Sequence, residues 1–104
     1  MLDGDNVDDI LEKNGSNLLF IYSDSCGICT VAENTIKDCS MTISALIDEC
    51  FRIKFQNCID FCQDNNINGT PAFVIIKDSN ILSILPFNPT QDVFLTWITN
   101  TLFD

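Results

Sequence analysis

Histidine is absent from this sequence, and bases are few, with five lysines and arginines against fifteen aspartates and glutamates. Without histidine the chain lacks the commonest general base and the commonest zinc ligand, which excludes Cys–His nucleophilic catalysis. A formal net charge of −10 leaves no basic surface to neutralise phosphate groups, which argues against nucleic-acid binding. The acidity is typical of a solubilising surface, or would steer the chain toward a basic partner.

Long hydrophobic runs are also missing. The longest, residues 18–22 and 73–76, fall well short of the roughly 20 apolar residues that a membrane-spanning helix needs. The first residues are acidic and show neither the basic nor the apolar region of a secretory signal. With 104 residues, 46% of them hydrophobic, the chain is expected to form a single domain over residues 1–104, without membrane contact and in the cytoplasm.

Apolar spacing and turn signals predict eight elements in the order α-β-α-β-α-β-β-α. A strand–helix–strand unit favours a parallel pair, and a terminal hairpin adds antiparallel strands. The predicted architecture is therefore α/β, a mixed four-stranded sheet with helices on both faces. Helices are predicted over residues 7–13, 27–49 with a kink or second N-cap at Ser40, 58–65, and from about 88 onward; strands are predicted over 18–23, 51–55, 72–77 and 81–85.

Six cysteines are many for a chain of this length. An even number would suggest a disulfide framework in a secreted protein, but the missing signal favours free thiols in a reducing compartment. Cys26 and Cys29 form a Cys-x-x-Cys pair where a buried strand gives way to a helix. Unpaired N–H groups and the helix dipole stabilise a thiolate at such a position, and one turn brings the second sulfur near enough to close a disulfide.

Residues 18–29 (LLFIYSDSCGIC) and 69–76 (GTPAFVII) resemble the thioredoxin family, with matching spacing as far as about residue 102. The resemblance implies a thioredoxin-like fold, with the family's extra N-terminal strand missing. It also implies that Cys26 is the nucleophile and Cys29 the resolving thiol.

The same resemblance implies a substrate-binding surface around the dithiol. A cis peptide bond is expected before Pro71, and the backbone of Thr70 would meet an extended substrate peptide. Gly27 and Ile28, between the two cysteines, and the aromatic Phe87 are expected to line the substrate groove.

Several positions depart from the family pattern. Ser25 stands where the family has tryptophan, Ile28 replaces proline, and Phe87 aligns near a glycine. Phe20 occupies the position of a buried aspartate, and Arg52 falls near a partner lysine. The loss of the aspartate implies slow release of mixed disulfides.

The remaining cysteines have two readings. Cys58 and Cys62 share a helix face, and with the first pair they would suggest a four-cysteine zinc or iron–sulfur site. Their place on a different helix argues against this, so no metal is expected. Cys39 and Cys50 are predicted to fill the core rather than to form a second redox couple.

Asp24 and Glu33 lie close to Cys26 in the sequence. They would either disfavour its thiolate and repel acidic substrates, or form a solvated rim.

The sequence therefore predicts a monomeric thiol–disulfide oxidoreductase that reduces protein disulfides and needs no cofactor. Its partners would be protein thiol or disulfide substrates and a reductase or small-thiol reductant. Two alternatives stay open, a glutaredoxin-like redox adaptor serving one partner and a thioredoxin-fold binding module without catalysis.

Overall fold

The computed structural model describes residues 1–103, which form one sheet and its covering helices. The elements in chain order are β1 (Leu2–Asp3), α1 (Val7–Leu11), β2 (Ser16–Tyr22), α2 (Gly27–Asp38), α3 (Ser40–Leu46), β3 (Glu49–Lys54), a 3₁₀ turn (Phe55–Asn57), α4 (Ile59–Asp64), β4 (Ala72–Lys77), β5 (Asn80–Leu85) and α5 (Gln91–Phe103).

The sheet has five strands in the order β1-β3-β2-β4-β5. The pairs β1–β3 and β2–β3 are parallel, whereas β2–β4 and β4–β5 are antiparallel. The mixed α/β architecture is confirmed, but the predicted number of four strands is wrong.

The additional strand is the two-residue β1 at the sheet edge. Leu2 pairs with Phe51 and Asp3 with Arg52. Both residues of β1 are exposed, so the strand shows neither an apolar run nor an alternation. The expectation that no N-terminal strand exists failed because pairing with β3, and not a local pattern, defines this strand.

Apolar side chains of the central strand β2 divide between two core layers, as its alternating geometry requires. Leu19 and Ile21 pack on the side of α1 and α4. Leu18 and Phe20 pack on the opposite side with α2, α3 and α5. Both faces of the strand are therefore covered, and its segment from residue 17 to residue 21 is fully buried.

The long helix predicted over residues 27–49 is interrupted. Its first part, α2, ends at Asp38, and α3 begins at Ser40 after Cys39, whose backbone has φ −97° and ψ 10°. Apolar residues keep their helical spacing across this junction, with Ile36, Cys39 and Ile43 all buried. The interruption predicted at Ser40 is confirmed, since α3 begins at that residue. The prediction that the helix reaches residue 49 is wrong, because Glu49 belongs to β3.

Among residues 1–103, no helix is long and apolar enough to cross a membrane.

We expect Phe94→Ala to lower the free energy of unfolding by about 3–5 kcal/mol, because it leaves a cavity in the core. Phe94 is fully buried, and its ring lies 5.0 Å from that of Phe73 and 6.1 Å from that of Trp97. Phe103→Ala on the same helix is the control, since Phe103 is 67% exposed and should cost little. Urea unfolding of both variants, with all thiols reduced, measures the difference. Equal losses would show that α5 does not dock as described.

Candidate active site

The Cys-x-x-Cys pair lies where β2 leaves the sheet and α2 begins. Cys26 is the N-cap of α2, with extended backbone at φ −97° and ψ 101°. Its Sγ accepts a hydrogen bond of 3.2 Å from the backbone N–H of Cys29. The sulfur of Cys26 thus takes the place of a capping oxygen, where backbone N–H groups and the helix dipole favour negative charge.

Cys26 and Cys29 are joined by a disulfide, and their Cα atoms are 5.3 Å apart. The two residues differ in access to solvent, since Cys29 is only 4% exposed and Cys26 is partly exposed. Between them, Gly27 and Ile28 are both exposed, and open space surrounds the Gly27 Cα. An incoming disulfide can therefore reach Cys26 more easily than Cys29.

The segment before β4 lies against the same sulfur. Antiparallel pairing of Ile21 with Ala72 brings the start of β4 beside the end of β2. The Thr70 carbonyl oxygen is 3.7 Å from Cys26 Sγ, and the Thr70 hydroxyl is 3.1 Å from that of Ser23. The Thr70–Pro71 peptide bond is cis. Thr70 and the dithiol therefore form one surface.

Phe87 follows β5 at this end of the sheet. Leu85 pairs with Phe73 near the start of β4, so the chain leaves β5 at the level of Pro71. The Phe87 side chain is 51% exposed and Ile28 is 56% exposed. These two large apolar side chains thus stay in solvent at the end of the sheet where the dithiol lies.

Two acidic residues near the dithiol are paired with bases of β3, which the sequence analysis missed. The carboxylate of Asp24 accepts a 2.8 Å bond from Lys54, and that of Glu33 accepts a 2.7 Å bond from Arg52. Arg52 also bonds Asp3. The bonds that Arg52 donates raise its pKa, the one to Asp3 contributing most, and the bond that Lys54 donates to Asp24 raises the pKa of Lys54.

A signal for these pairs was present in the sequence, because alternation in β3 sends Arg52 and Lys54 to one face of the strand. The alternation predicts that both bases lie on a common face, but it does not predict which acidic residues they bind. Both carboxylates are accordingly paired with a base; Asp24 stays in solvent, as the rim interpretation expects, whereas Glu33 is only partly exposed.

Solved structures with the same architecture include several thioredoxins. The Plasmodium falciparum thioredoxin gives a TM-score of 0.78 at 16% identity, covering 96% of this chain and 98% of that one. For the Fasciola hepatica thioredoxin the TM-score is 0.78 at 15% identity, and the match covers 97% of this chain and 99% of that one. A point mutant of the thioredoxin from Halobacterium salinarum gives a TM-score of 0.76 at 19% identity, and the match covers 97% of this chain and 89% of that one.

The chain has the thioredoxin fold. At these identities the likeness establishes the fold and not the activity. No protein-family model and no curated protein matches the sequence.

Two further cysteines, Cys58 and Cys62, lie close together on the other side of the sheet from the dithiol. Cys58 and Cys62 pack in the core layer of α1 and α4, whereas Cys29 packs in the opposite layer. Their sulfur atoms are 3.7 Å apart, within reach of a thiol–thiol hydrogen bond but not joined by a disulfide. The four-cysteine metal site is therefore wrong for geometric reasons, and the described part of the chain holds no other cluster suited to a metal ion.

Burial makes the four free cysteines poor nucleophiles. It raises the pKa of Cys50 to about 11 and that of Cys58 to about 12, and it also raises the pKa values of Cys39 and Cys62. Since the thiolate is the reactive form, few of these groups react near neutral pH. Cys39 is buried as predicted for a core residue, and Cys50 is half-buried at the edge of the same layer.

We expect iodoacetamide to alkylate Cys26 first in the fully reduced protein. Cys26 is partly exposed and lies at the start of a helix, so its thiolate forms at lower pH than that of an unperturbed thiol. Peptide mass spectrometry after timed labelling between about pH 5 and 9 measures the order. Cys50 is the internal control, because it is also partly exposed but should react only at alkaline pH. Faster labelling of Cys29 would overturn the assignment.

Proposed function

We propose that this chain is a thiol–disulfide oxidoreductase that reduces disulfides of partner proteins. The observation that carries the proposal is the unequal exposure of two bonded sulfur atoms at a helix N-terminus, beside the Thr70 carbonyl. A reactive outer sulfur and a protected inner sulfur are what a two-step exchange requires. The thioredoxin fold of the structural neighbours supports the same chemistry.

In the first step the Cys26 thiolate attacks one sulfur of a substrate disulfide. A bond forms between Cys26 and that sulfur, the substrate disulfide breaks, and the other sulfur leaves as a thiolate that takes a proton from solvent. The Cys29 N–H, 3.2 Å from the attacking atom, and the dipole of α2 stabilise the negative charge before attack.

In the second step Cys29 loses its proton and attacks Cys26. The bond between Cys26 and the substrate breaks, the second substrate thiol leaves, and the Cys26–Cys29 disulfide closes. Over both steps two electrons and two protons pass from the dithiol to the substrate. The short Cα separation of 5.3 Å allows closure without unfolding α2.

Substrate peptides would bind across the surface around Cys26. The backbone of Thr70 offers hydrogen bonds to an extended chain, Pro71 keeps that backbone beside the sulfur, and exposed Gly27 leaves room for approach. Ile28 and Phe87 supply apolar contacts on either side.

A reductase or a small thiol would return the disulfide to the dithiol, and no cofactor takes part in either step. Reduction of substrates requires a compartment that keeps thiols reduced, so we place the protein in the cytoplasm and propose that it acts as a monomer.

We expect the protein to accelerate the reduction of insulin by dithiothreitol, measured as turbidity of the released B chain. Cys26→Ser should abolish the acceleration because it removes the attacking thiolate. Cys29→Ser should instead accumulate a mixed disulfide, visible on a non-reducing gel. Cys50→Ser is the matched control, since Cys50 is a free thiol outside the dithiol and should leave the rate unchanged.

A wild-type rate no higher than that of dithiothreitol alone would contradict catalysis and favour the binding module. Rapid reduction of glutathione mixed disulfides, with insulin untouched, would favour the glutaredoxin-like adaptor.

We expect Phe87→Ala to raise KM for insulin several-fold with little change in kcat, because Phe87 contacts the bound peptide but not the reacting sulfur atoms. Phe103→Ala removes another exposed aromatic ring, at the end of α5, and serves as control. Steady-state rates at varied insulin concentration separate the two constants. An unchanged KM for Phe87→Ala would remove Phe87 from the binding surface.

A further inference from the structure

A cleft of about 170 Å³ opens beside the disulfide. Cys26, Cys29, Glu33 and Arg52 all border it, with polar atoms from neighbouring residues. Liquid water occupies roughly 30 Å³ per molecule, and a hydrated site also needs polar partners. The cleft meets both conditions, so water can connect the inner sulfur with the groups around it.

Cys29 needs a proton acceptor in the second step of the proposed function. Its side chain is almost completely buried, and burial in apolar surroundings disfavours a thiolate. Cys29 must nevertheless lose its proton to attack Cys26. The chain has no histidine, so a carboxylate is the natural acceptor.

Two carboxylates border the cleft, and Glu33 is the better placed. Glu33 follows Cys29 by four residues on α2, so both side chains lie on one face of the helix. Its side chain is 22% exposed, whereas that of Asp24 is 68% exposed, and both carboxylates are paired with a base of β3. Because Glu33 is less exposed and lies on the same helix face as Cys29, it is the better candidate to accept the Cys29 proton.

The position of Glu33 is held from two sides. Arg52 Nη1 donates to Glu33 Oε1 at 2.7 Å, and Lys37 Nζ lies 3.6 Å from Oε2. Arg52 is itself anchored by Asp3 and lies over the Tyr22 ring, with 5.6 Å from Cζ to the ring centroid. The carboxylate thus has a defined place at the cleft.

Since the second step of the proposed function requires a Cys29 thiolate, we infer that Glu33 accepts the Cys29 proton through water in this cleft. The proton passes from Cys29 Sγ to water and from water to the Glu33 carboxylate. The sulfur lone pair then attacks Cys26 Sγ, and the bond between Cys26 and the substrate breaks. The departing substrate thiolate is protonated from Glu33 or from solvent, which restores the carboxylate.

Arg52 makes such an acceptor compatible with a thiolate nearby. An unpaired Glu33 carboxylate would repel the negative charge that develops on Cys29, but the positive charge of the Arg52 guanidinium offsets this repulsion. Arg52 stays protonated throughout, so it positions Glu33 and takes no part in proton transfer.

The pH dependence of this step has contributions from every charged or titratable group around the cleft. Those groups are Asp3 from β1, Tyr22 from β2, Asp24 from the following loop, Cys26, Glu33 and Lys37 from the start and body of α2, and Arg52 and Lys54 from β3.

The test mixes the reduced full chain with one equivalent of 4,4′-dithiodipyridine, a neutral disulfide that releases ultraviolet-absorbing 4-thiopyridone twice. The first equivalent reports attack by Cys26, and the second reports displacement by Cys29. In Glu33→Gln we expect the second phase to slow by roughly 10- to 100-fold near neutral pH, with the first phase little changed. The difference should vanish at alkaline pH, where hydroxide deprotonates Cys29 directly.

Three variants separate proton transfer from structure and charge. Glu33→Asp keeps the carboxylate and should recover part of the second-phase rate. Asp38→Asn removes one negative charge from an exposed position on the same helix and should leave both phases as in wild type. Arg52→Gln should slow the second phase, because it removes the hydrogen bond that positions Glu33 and the positive charge that offsets the Glu33 carboxylate.

The sign of the Glu33→Gln effect decides the inference. If Glu33 acts only as a negative charge, its removal stabilises the Cys29 thiolate, and a faster second phase would falsify proton acceptance. Equal slowing at every pH, without recovery in Glu33→Asp, would also overturn it in favour of a structural role. Absence of a first phase in wild type would instead refute the proposed function itself.

Discussion

The central strand β2 has to be covered on both faces, and the rest of the structure follows from this requirement. Its residues from position 17 to position 21 are buried, so helices must pack above and below them. The chain leaves β2 at Tyr22 and within a few residues begins α2, which covers one face. Cys26 therefore falls at the exposed start of that helix, and Cys29 falls one turn later against the core. The difference in access between the two sulfur atoms is a consequence of how the sheet is covered.

The strand β3 supplies the basic side chains that pair with acidic residues near the dithiol. Its alternation presents Arg52 and Lys54 on one face, and each neutralises an acidic residue near the dithiol. Ion pairs this exposed contribute little to folding stability. Their effect is local, because in a chain of net charge −10 they keep uncompensated negative charge away from the Cys26 sulfur.

Access to solvent distinguishes Cys26 from most of the six cysteines, since Cys29, Cys39, Cys58 and Cys62 are buried and Cys50 is half-buried. Four are free thiols whose pKa values burial raises, and they act as small apolar side chains in the two core layers. Cys58 and Cys62 show the distinction well, because their sulfur atoms are only 3.7 Å apart yet both side chains are buried. Proximity of two thiols is thus not enough for exchange chemistry. One of them must also be accessible and easily ionised.

Local sequence patterns were enough to predict the buried strand β2, the helix after it with its interruption at Ser40, the hairpin of β4 and β5, and the Cys26–Cys29 pair at a strand-to-helix junction. Apolar periodicity, turn residues and caps carry that information between near neighbours in the chain. The edge strand β1 and the pairing of Glu33 with Arg52, in contrast, depend on contacts between segments that are far apart in the sequence. An edge strand of two residues exists through its partner, and an ion pair between residues 19 positions apart depends on how α2 packs over β3. These features depend on sheet register and helix packing, which arise when distant segments meet and leave no periodic trace in either segment alone.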